Sequence, residues 1–333
     1  MKQKILNRIF LFLLFFLTWL DVTKFLTISV SKIGESIPIF PLIQINLLQA
    51  KNEKLVRDAV QETSKMLLHY FVPQLAHEPW QPNFIFADLL ADHEPEIVFT
   101  LSRPPDRAIL VLLQKKDNHY FIVFFQDHLF PLTKLEVLPV KNEQSFLVTS
   151  EDQQKQWGAL GSSTLVKLWR WEENSLRETF AEKTSWEINW QSTWQNPASK
   201  LPQWYNLKQN FTITYHQENE KIIIKTKGQQ QFSEAPVKNT AFPAPYDFPS
   251  PFTLLKARDV FQEYYWDNNW QKFILKTCLY YPPEENTPAE IAVLQDLDQH
   301  LESLAFGEQQ QYQVINKKGE TFPLPKNSLI NVP

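Results

Sequence analysis

The hydrophobic positions of the chain begin as an unbroken run behind three cations. Lys2, Lys4 and Arg8 precede residues 9–20, a twelve-residue stretch in which a threonine is the one non-hydrophobic member. A run of this length is typical of a signal peptide and is short for a spanning helix, which needs about 20 residues. The sequence therefore predicts a signal peptide or an uncleaved membrane anchor over residues 1–24. The positive-inside rule then places the rest of the chain outside the cytoplasm.

Helical spacing follows, and it predicts a short neck. Residues 33–50 are apolar and contain two prolines, which indicates an extended segment. Residues 53–71 carry one apolar face, made by Leu55, Ala59, Val60, Thr63, Leu67 and Phe71. Asn52 stands at the N-cap position and Pro73 ends the helix. We therefore assign residues 25–80 to an extended segment and an amphipathic helical neck.

From residue 81 onward the apolar residues alternate with polar ones, the period of strands. Five stretches each combine an apolar strand, a polar turn with an asparagine, and a second strand. Asparagine suits such turns because it tolerates a positive φ, and this chain has only six glycines to take that place. The sequence thus predicts five hairpins, with turn asparagines Asn118, Asn174, Asn219, Asn269 and Asn316.

The regular separation of these turns predicts a repeat. Successive asparagines lie 56, 45, 50 and 47 residues apart. The predicted fold is mainly β: a propeller-like array of four or five β-hairpin units of about 50 residues, with flanking helices. Residues 81–251 form the β-repeat body in this interpretation, and residues 252–333 hold the last repeat or repeats.

A second arrangement makes residues 252–333 a separate α+β domain behind the β domain. Five prolines between residues 235 and 252 mark a connector. Residues 253–265 fit both a helix and a strand. Residues 288–306 are predicted to be helical, because one face carries Ile291, Leu294, Leu297, Leu301 and Leu304 and Gly307 follows.

Composition removes several functional classes. The 33 basic and 37 acidic residues give a net charge of −4, which provides no general attraction to nucleic acid. Six glycines in 333 residues argue against phosphate-binding loops. The single cysteine, Cys278, excludes an intrachain disulfide and a cysteine-based metal site, and its neighbours indicate a small buried side chain.

No constellation of catalytic or ligand-binding residues is evident. The seven histidines show no metal-ligand spacing, and His93 and His128, the two with acidic neighbours, fit solvated loops. Trp186, Trp190 and Trp194 recur every four residues and fit a core better than a sugar-binding surface. We therefore predict no catalytic residue, no bound cofactor and no metal ligand.

One loop resembles a known family. Residues 88–98, DLLADHEPEIV, are similar to the D-L-N-G-D-G-x-P-E-I-V loop of FG-GAP/VCBS repeats, the integrin-α-like propeller unit. Leu90, Ala91 and His93 depart from that pattern. The resemblance implies a degenerate propeller repeat protein whose loop, in the family, binds calcium. Because Leu90 offers no oxygen ligand and His93 replaces a glycine, we expect the loop to hold no metal.

These features together predict a non-enzymatic envelope protein, membrane-anchored or secreted, with a propeller-like body. Its partners would be the membrane, through the N-terminal segment, and a protein or glycan ligand. The alternative is a membrane-anchored hydrolase acting on envelope glycan or peptide. That alternative requires two carboxyl groups with raised pKa values in one pocket.

Overall fold

The computed structural model describes residues 40–41, 47–116, 119–141, 144–157, 159–195, 203–218, 221–237, 251–282 and 287–331. The chain is mainly β, as predicted, and its strands form three antiparallel sheets. It divides into two compact units. The first unit holds Met1–Leu138, Gln144–Asp152 and Arg170–Arg177, and the second holds Pro139–Glu143, Gln153–Trp169 and Glu178–Pro333.

The first unit combines the predicted helix with a five-stranded sheet. Helix α1 spans Glu53–Phe71, and the Asn52 side chain accepts hydrogen bonds from the amides of Lys54 and Leu55 at 3.0 and 3.4 Å. A 3₁₀ turn, Pro73–Leu75, follows it. The predicted helix and both of its boundaries are therefore confirmed.

The strands of this sheet are ordered β1-β5-β4-β3-β2. Their bounds are Phe40–Pro41 for β1, Gln81–Ala87 for β2, Glu96–Arg103 for β3, Arg107–Lys116 for β4 and His119–Leu129 for β5. The run from Ala108 to Leu113 in β4 is fully buried. Because neighbouring side chains of a strand point to opposite faces, β4 is covered on both faces. Leu67 and Leu68 of α1 belong to the core that covers one of them.

The second sheet has eight strands in chain order, β6 to β13. They are Leu132–Leu138, Phe146–Trp157, Ala159–Glu172, Ser175–Gln191, Gln203–Glu218, Lys221–Pro236, Thr253–Asp267 and Lys272–Ile274. A short helix α2, Ser192–Gln195, connects β9 and β10. Gly228 lies opposite Phe211, and a Cβ at Gly228 would lie 1.9 Å from the Asn210 carbonyl oxygen. Only glycine therefore lets β10 approach β11 so closely there.

The third sheet lies in the second unit and has the order β17-β16-β15-β14-β18. Its strands are Lys276–Tyr280 (β14), Ala289–Asp296 (β15), Gln311–Asn316 (β16), Thr321–Pro325 (β17) and Leu329–Asn331 (β18). Two 3₁₀ turns, Leu297–Gln299 and Lys326–Ser328, and helix α3, Leu301–Phe306, complete the second unit. Leu301 and Leu304 of α3 pack with Trp190 and Leu207 of the eight-stranded sheet.

All five predicted hairpins are present as neighbouring antiparallel strands: β4–β5, β8–β9, β10–β11, β12–β13 and β16–β17. In the β8–β9 turn, Glu173 and Asn174 adopt φ values of 47° and 66°. Two successive positive φ values match the twist of the flanking strands, which explains the asparagine there. The ambiguous residues 253–265 are strand, within β12.

The predicted helix over residues 288–306 is wrong for most of its length. Residues Ala289–Asp296 form β15, and within this range helix is found only at Leu301–Phe306. Ile291, Ala292 and Val293 are fully buried, and β15 pairs with β14 on one side and β16 on the other. Two β-branched residues between paired strands outweigh the helical spacing of the leucines.

The structure does not show the propeller-like array, and it does not describe the predicted membrane segment. The described strands show no closed ring of blades, and β6 to β13 form one sheet rather than separate units of about 50 residues. Among the described residues, no helix is long and apolar enough to cross a membrane. The predicted signal peptide or anchor, residues 1–24, lies outside the described residues, as do most residues around the predicted boundary at 251.

Candidate functional site

The candidate site is a cavity of about 240 Å³ in the first unit, where β3 turns into β4. It is lined by Arg103, Asp106, Arg107, His128 and Phe130. Arg103 ends β3 and Arg107 begins β4, and the two residues face each other in the ladder. Since the apolar parts of both strands are buried, the sheet fixes the backbone from which both guanidinium groups extend.

His128 reaches the same cavity because of an irregularity in β5. The pairing of β4 with β5 shifts register between Ala108 and Leu110, and His128 has a φ of 59°. Its Nε2 lies 3.2 Å from Asp127 Oδ2. A β-bulge of this kind turns a side chain away from the regular alternation, and here it places the imidazole at the cavity.

Arg103 is held by two carboxylates. Its Nη2 donates to both oxygens of Asp106, at 3.1 and 2.9 Å, and its Nη1 donates to Glu78. The guanidinium carbon also lies 5.7 Å from the centre of the Trp80 ring. Burial opposes the charge of Arg103, but the hydrogen bonds to Glu78 and Asp106 outweigh it and raise the pKa. The Arg103 side chain is 17% exposed, whereas that of Asp106 is 60% exposed.

Arg107 is held less completely. Its Nη2 donates to Asp127 Oδ2 at 3.0 Å, and within the described residues this is its one hydrogen bond. Its Nε is buried and has no partner there. A guanidinium has five N–H donors, so four of those of Arg107 make no hydrogen bond to the protein within the described residues.

The cavity can therefore bind a hydrogen-bond acceptor, and its described lining presents a single carboxyl group rather than a pair. Its one lining carboxylate, Asp106, is engaged by Arg103. The carboxyl groups with strongly raised pKa values are Glu96 and Glu182, and neither lines the cavity. Burial is the main cause in both cases, and it raises each pKa to about 7.

The loop that resembles FG-GAP/VCBS repeats uses its carboxylates to hold its own backbone. Glu96 Oε2 accepts from the amides of Leu89 and Leu90 at 2.8 and 3.2 Å. Asp88 Oδ2 accepts from the His93 amide at 3.2 Å, and Asp92 Oδ1 accepts from the Glu94 amide at 3.0 Å. The described residues contain no group of three or more His, Cys, Asp and Glu side chains that could hold a metal ion.

Several other predicted positions have structural roles. Cys278 is fully buried, as predicted, and burial raises the pKa of its thiol. Trp186 and Trp190 lie on one face of strand β9, because positions four apart share a face in a strand as well as in a helix. Trp190 and Trp204 are buried, which agrees with the core interpretation. The His93 side chain is 99% exposed, as expected for a solvated loop.

Sequence reasoning missed both cavity arginines. The signal was available in the stretch Arg103-Pro104-Pro105-Asp106-Arg107, a turn between two apolar strands with an arginine at each end. The two strands bring these ends together, so the paired arginines could have been predicted to lie side by side. His128 was singled out beside Asp127, and the structure adds that it lines the cavity.

Comparisons with protein-family models, with curated proteins and with solved structures found no match.

Proposed function

We propose that this chain is a non-enzymatic envelope protein, membrane-anchored or secreted, that binds a ligand at the cavity between β3, β4 and β5. The observation that carries this proposal is the pair of arginines on the β3–β4 turn, one bonded to two carboxylates and the other making a single side-chain hydrogen bond within the described residues. Unused donors at a cavity favour recognition of an acceptor group. The basic N-terminal residues and the apolar run behind them support export.

The geometry supports binding better than hydrolysis. Hydrolysis by paired carboxyls requires one protonated and one ionised group flanking the substrate. The cavity presents Asp106 alone, in an ion pair with Arg103, while Glu96 is bonded to the loop backbone. Hydrolysis by two carboxyl groups would therefore need a different site.

The relation to FG-GAP/VCBS repeats also remains a proposal, and it rests on the loop backbone. Ala91 and His93 stand where the family pattern has glycines, and their φ values are 60° and 67°. The loop thus keeps a left-handed conformation that glycine adopts at lower cost. Strands β2 to β5 form a four-stranded antiparallel meander, the size of one blade, and we propose the propeller-like arrangement from that segment.

Cell fractionation tests the proposed location. The full chain is produced in cells, the mass of its N-terminus is determined, and protease is added to intact cells. An intact Met1 in the membrane fraction with an externally cleaved body supports an anchored form, and a trimmed protein released from the membrane supports a secreted form. A body that stays protected inside the cell would overturn the proposal.

A further inference from the structure

We propose that the cavity is a carboxylate-binding site in which Asp106 occupies the Arg103 guanidinium until a ligand carboxylate replaces it. This inference rests on the proposed function, because it names the ligand class of the same cavity. It goes further in assigning roles to Arg103, Asp106, Arg107 and Phe130.

Arg107 is the group that would receive the ligand carboxylate. Its side chain is 20% exposed and lines the cavity, and its one hydrogen bond within the described residues goes to Asp127. The planar guanidinium matches a carboxylate, which can accept two parallel N–H bonds. A ligand carboxylate therefore gains bonds at Arg107 that the unliganded protein does not make.

Asp106 is the group that the ligand carboxylate would displace from Arg103. Both of its oxygens accept from the one nitrogen Arg103 Nη2, so it does not make the two parallel N–H bonds that a ligand carboxylate can make with a guanidinium. It is also the most exposed member of the ion pairs in and around the cavity, at 60%. Exposed ion pairs are weak, so Asp106 can leave at low cost while Glu78 still neutralises Arg103.

The charges around the cavity favour a ligand with a single negative charge. Two guanidinium groups, one carboxylate and the His128 imidazole line it, while Glu78 pairs with Arg103 and Asp127 pairs with Arg107. A single negative charge replaces Asp106 without changing this balance. A phosphate brings nearly two negative charges toward Glu78 and Asp127, which disfavours it. Phe130 adds an apolar wall, so the favoured ligand carries its carboxylate on an apolar body.

The test uses the purified full-length chain in detergent. Fluorine NMR titrations follow 4-fluorobenzoate, and competition then compares acetate, inorganic phosphate, and a phenylalanine-ended peptide with a free or an amidated C-terminus. We expect saturable binding of 4-fluorobenzoate, competition by the free peptide but not the amidated one if the site takes chain ends, and weaker competition by phosphate. If neither peptide competes while acetate does, the site takes small acids.

Substitutions distinguish the role of Arg107 from that of Asp106. R107Q should weaken binding at least tenfold, and R107K should weaken it less because the charge remains without the fork. D106N should strengthen binding severalfold, since its amide competes poorly for Arg103. The matched control is R177Q, which removes an exposed arginine that also pairs with two carboxylates. It should leave the affinity unchanged, and circular dichroism establishes that each variant is folded.

Three results would overturn the inference: no saturable binding of any carboxylate, phosphate binding as tightly as carboxylate, or a D106N affinity that falls to that of R107Q. These failures are distinguishable from failure of the proposed function. Carboxylate binding by a protein confined inside the cell would leave this inference standing and remove the export proposal. An exported protein without carboxylate binding would do the reverse.

Discussion

Two arginines show how the same side chain serves different purposes in the two units. Arg258 in β12 uses all three nitrogens of its guanidinium: Nε donates to Gln230 at 2.6 Å, Nη1 to the Asp298 carbonyl at 2.6 Å, and Nη2 to the His300 carbonyl and Ser303 at 2.6 and 2.9 Å. Arg107 makes one hydrogen bond within the described residues.

The difference indicates which arginine holds the fold and which is open to a ligand. Three of the four bonds of Arg258 go to the Asp298 and His300 carbonyls and the Ser303 hydroxyl, so they fasten that segment, including the start of α3, to the sheet. A saturated guanidinium has nothing left for a ligand, whereas an unsaturated one at a cavity has. Saturation, rather than charge, is therefore the property that distinguishes the two sites.

Removal of the saturated arginine should have the largest effect. R258M removes four hydrogen bonds of a charged donor and leaves the Gln230 side-chain oxygen without that donor, and we expect the free energy of unfolding to fall by about 3 kcal/mol. Denaturant unfolding followed by tryptophan fluorescence measures this change. The control R177M removes an exposed arginine and should cost less than about 0.5 kcal/mol. Equal losses in both variants would break the comparison.

Buried carboxyl groups allow the two units to be compared through the pH dependence of protein stability. Burial is the main cause that raises the pKa of Glu96 to about 7, so the folded state keeps its proton where the unfolded chain has lost it. The stability contributed by Glu96 is therefore complete below pH of about 4.5, falls as the pH rises to about 7, and is constant above that. E96Q should remove on the order of 2 kcal/mol from this fall.

Unfolding curves between pH 4 and 8 measure the difference between E96Q and the parent protein. Glu182 gives a matched case in the second unit, because burial also raises its pKa to about 7. A slope in E96Q identical to that of the parent would contradict the assignment.

Glycine substitutions in the loop of residues 88–98 should have a smaller effect, and that effect should be stabilising. A91G and H93G should each stabilise the protein by about 0.5–1 kcal/mol, because glycine adopts the left-handed backbone of these positions at lower cost. Thermal unfolding detects such a shift. The control K65G, at an exposed position inside α1, should instead cost about 1 kcal/mol. Destabilisation by both loop variants would argue against the family-like loop geometry.

The cavity arginine should have the smallest effect on stability. R107Q removes one hydrogen bond and relieves a buried unpartnered Nε, so the free energy of unfolding should change by about 0.5 kcal/mol or less. The same denaturant assay used for R258M measures it. A loss as large as that of R258M would make Arg107 a structural residue and end the distinction.

Local sequence predicted much of the fold. The α1 boundaries followed from Asn52 and Pro73, and the five hairpins followed from alternating strands around asparagine turns. These elements are set by interactions between residues close in the chain. Helix over residues 288–306 failed because the leucine spacing is local, while the pairing of β15 with β14 and β16 is not.

The cavity could not be predicted from local sequence, because it also depends on residues that are distant in the chain. Arg103 and Arg107 are close in sequence, but Glu78 and Asp127 come from elsewhere in the chain, and His128 reaches the cavity only through a register shift. A hydrogen bond that a side chain lacks has no signature in the sequence. The saturation of Arg258 by residues 298–303 was equally hidden.

By itself the sequence determined the mainly β class, the helix over residues 53–71 and its cap, the pairing of strands in hairpins and the burial of Cys278. These follow from periodicity, backbone propensity and hydrophobicity, which act over a few residues. The tertiary structure alone decided how the strands divide among three sheets, which carboxyl groups are buried enough to keep a proton near pH 7, and which arginine is left with donors to offer. Each of these depends on what distant segments bring into contact, since burial and hydrogen-bond saturation are properties of the packed chain.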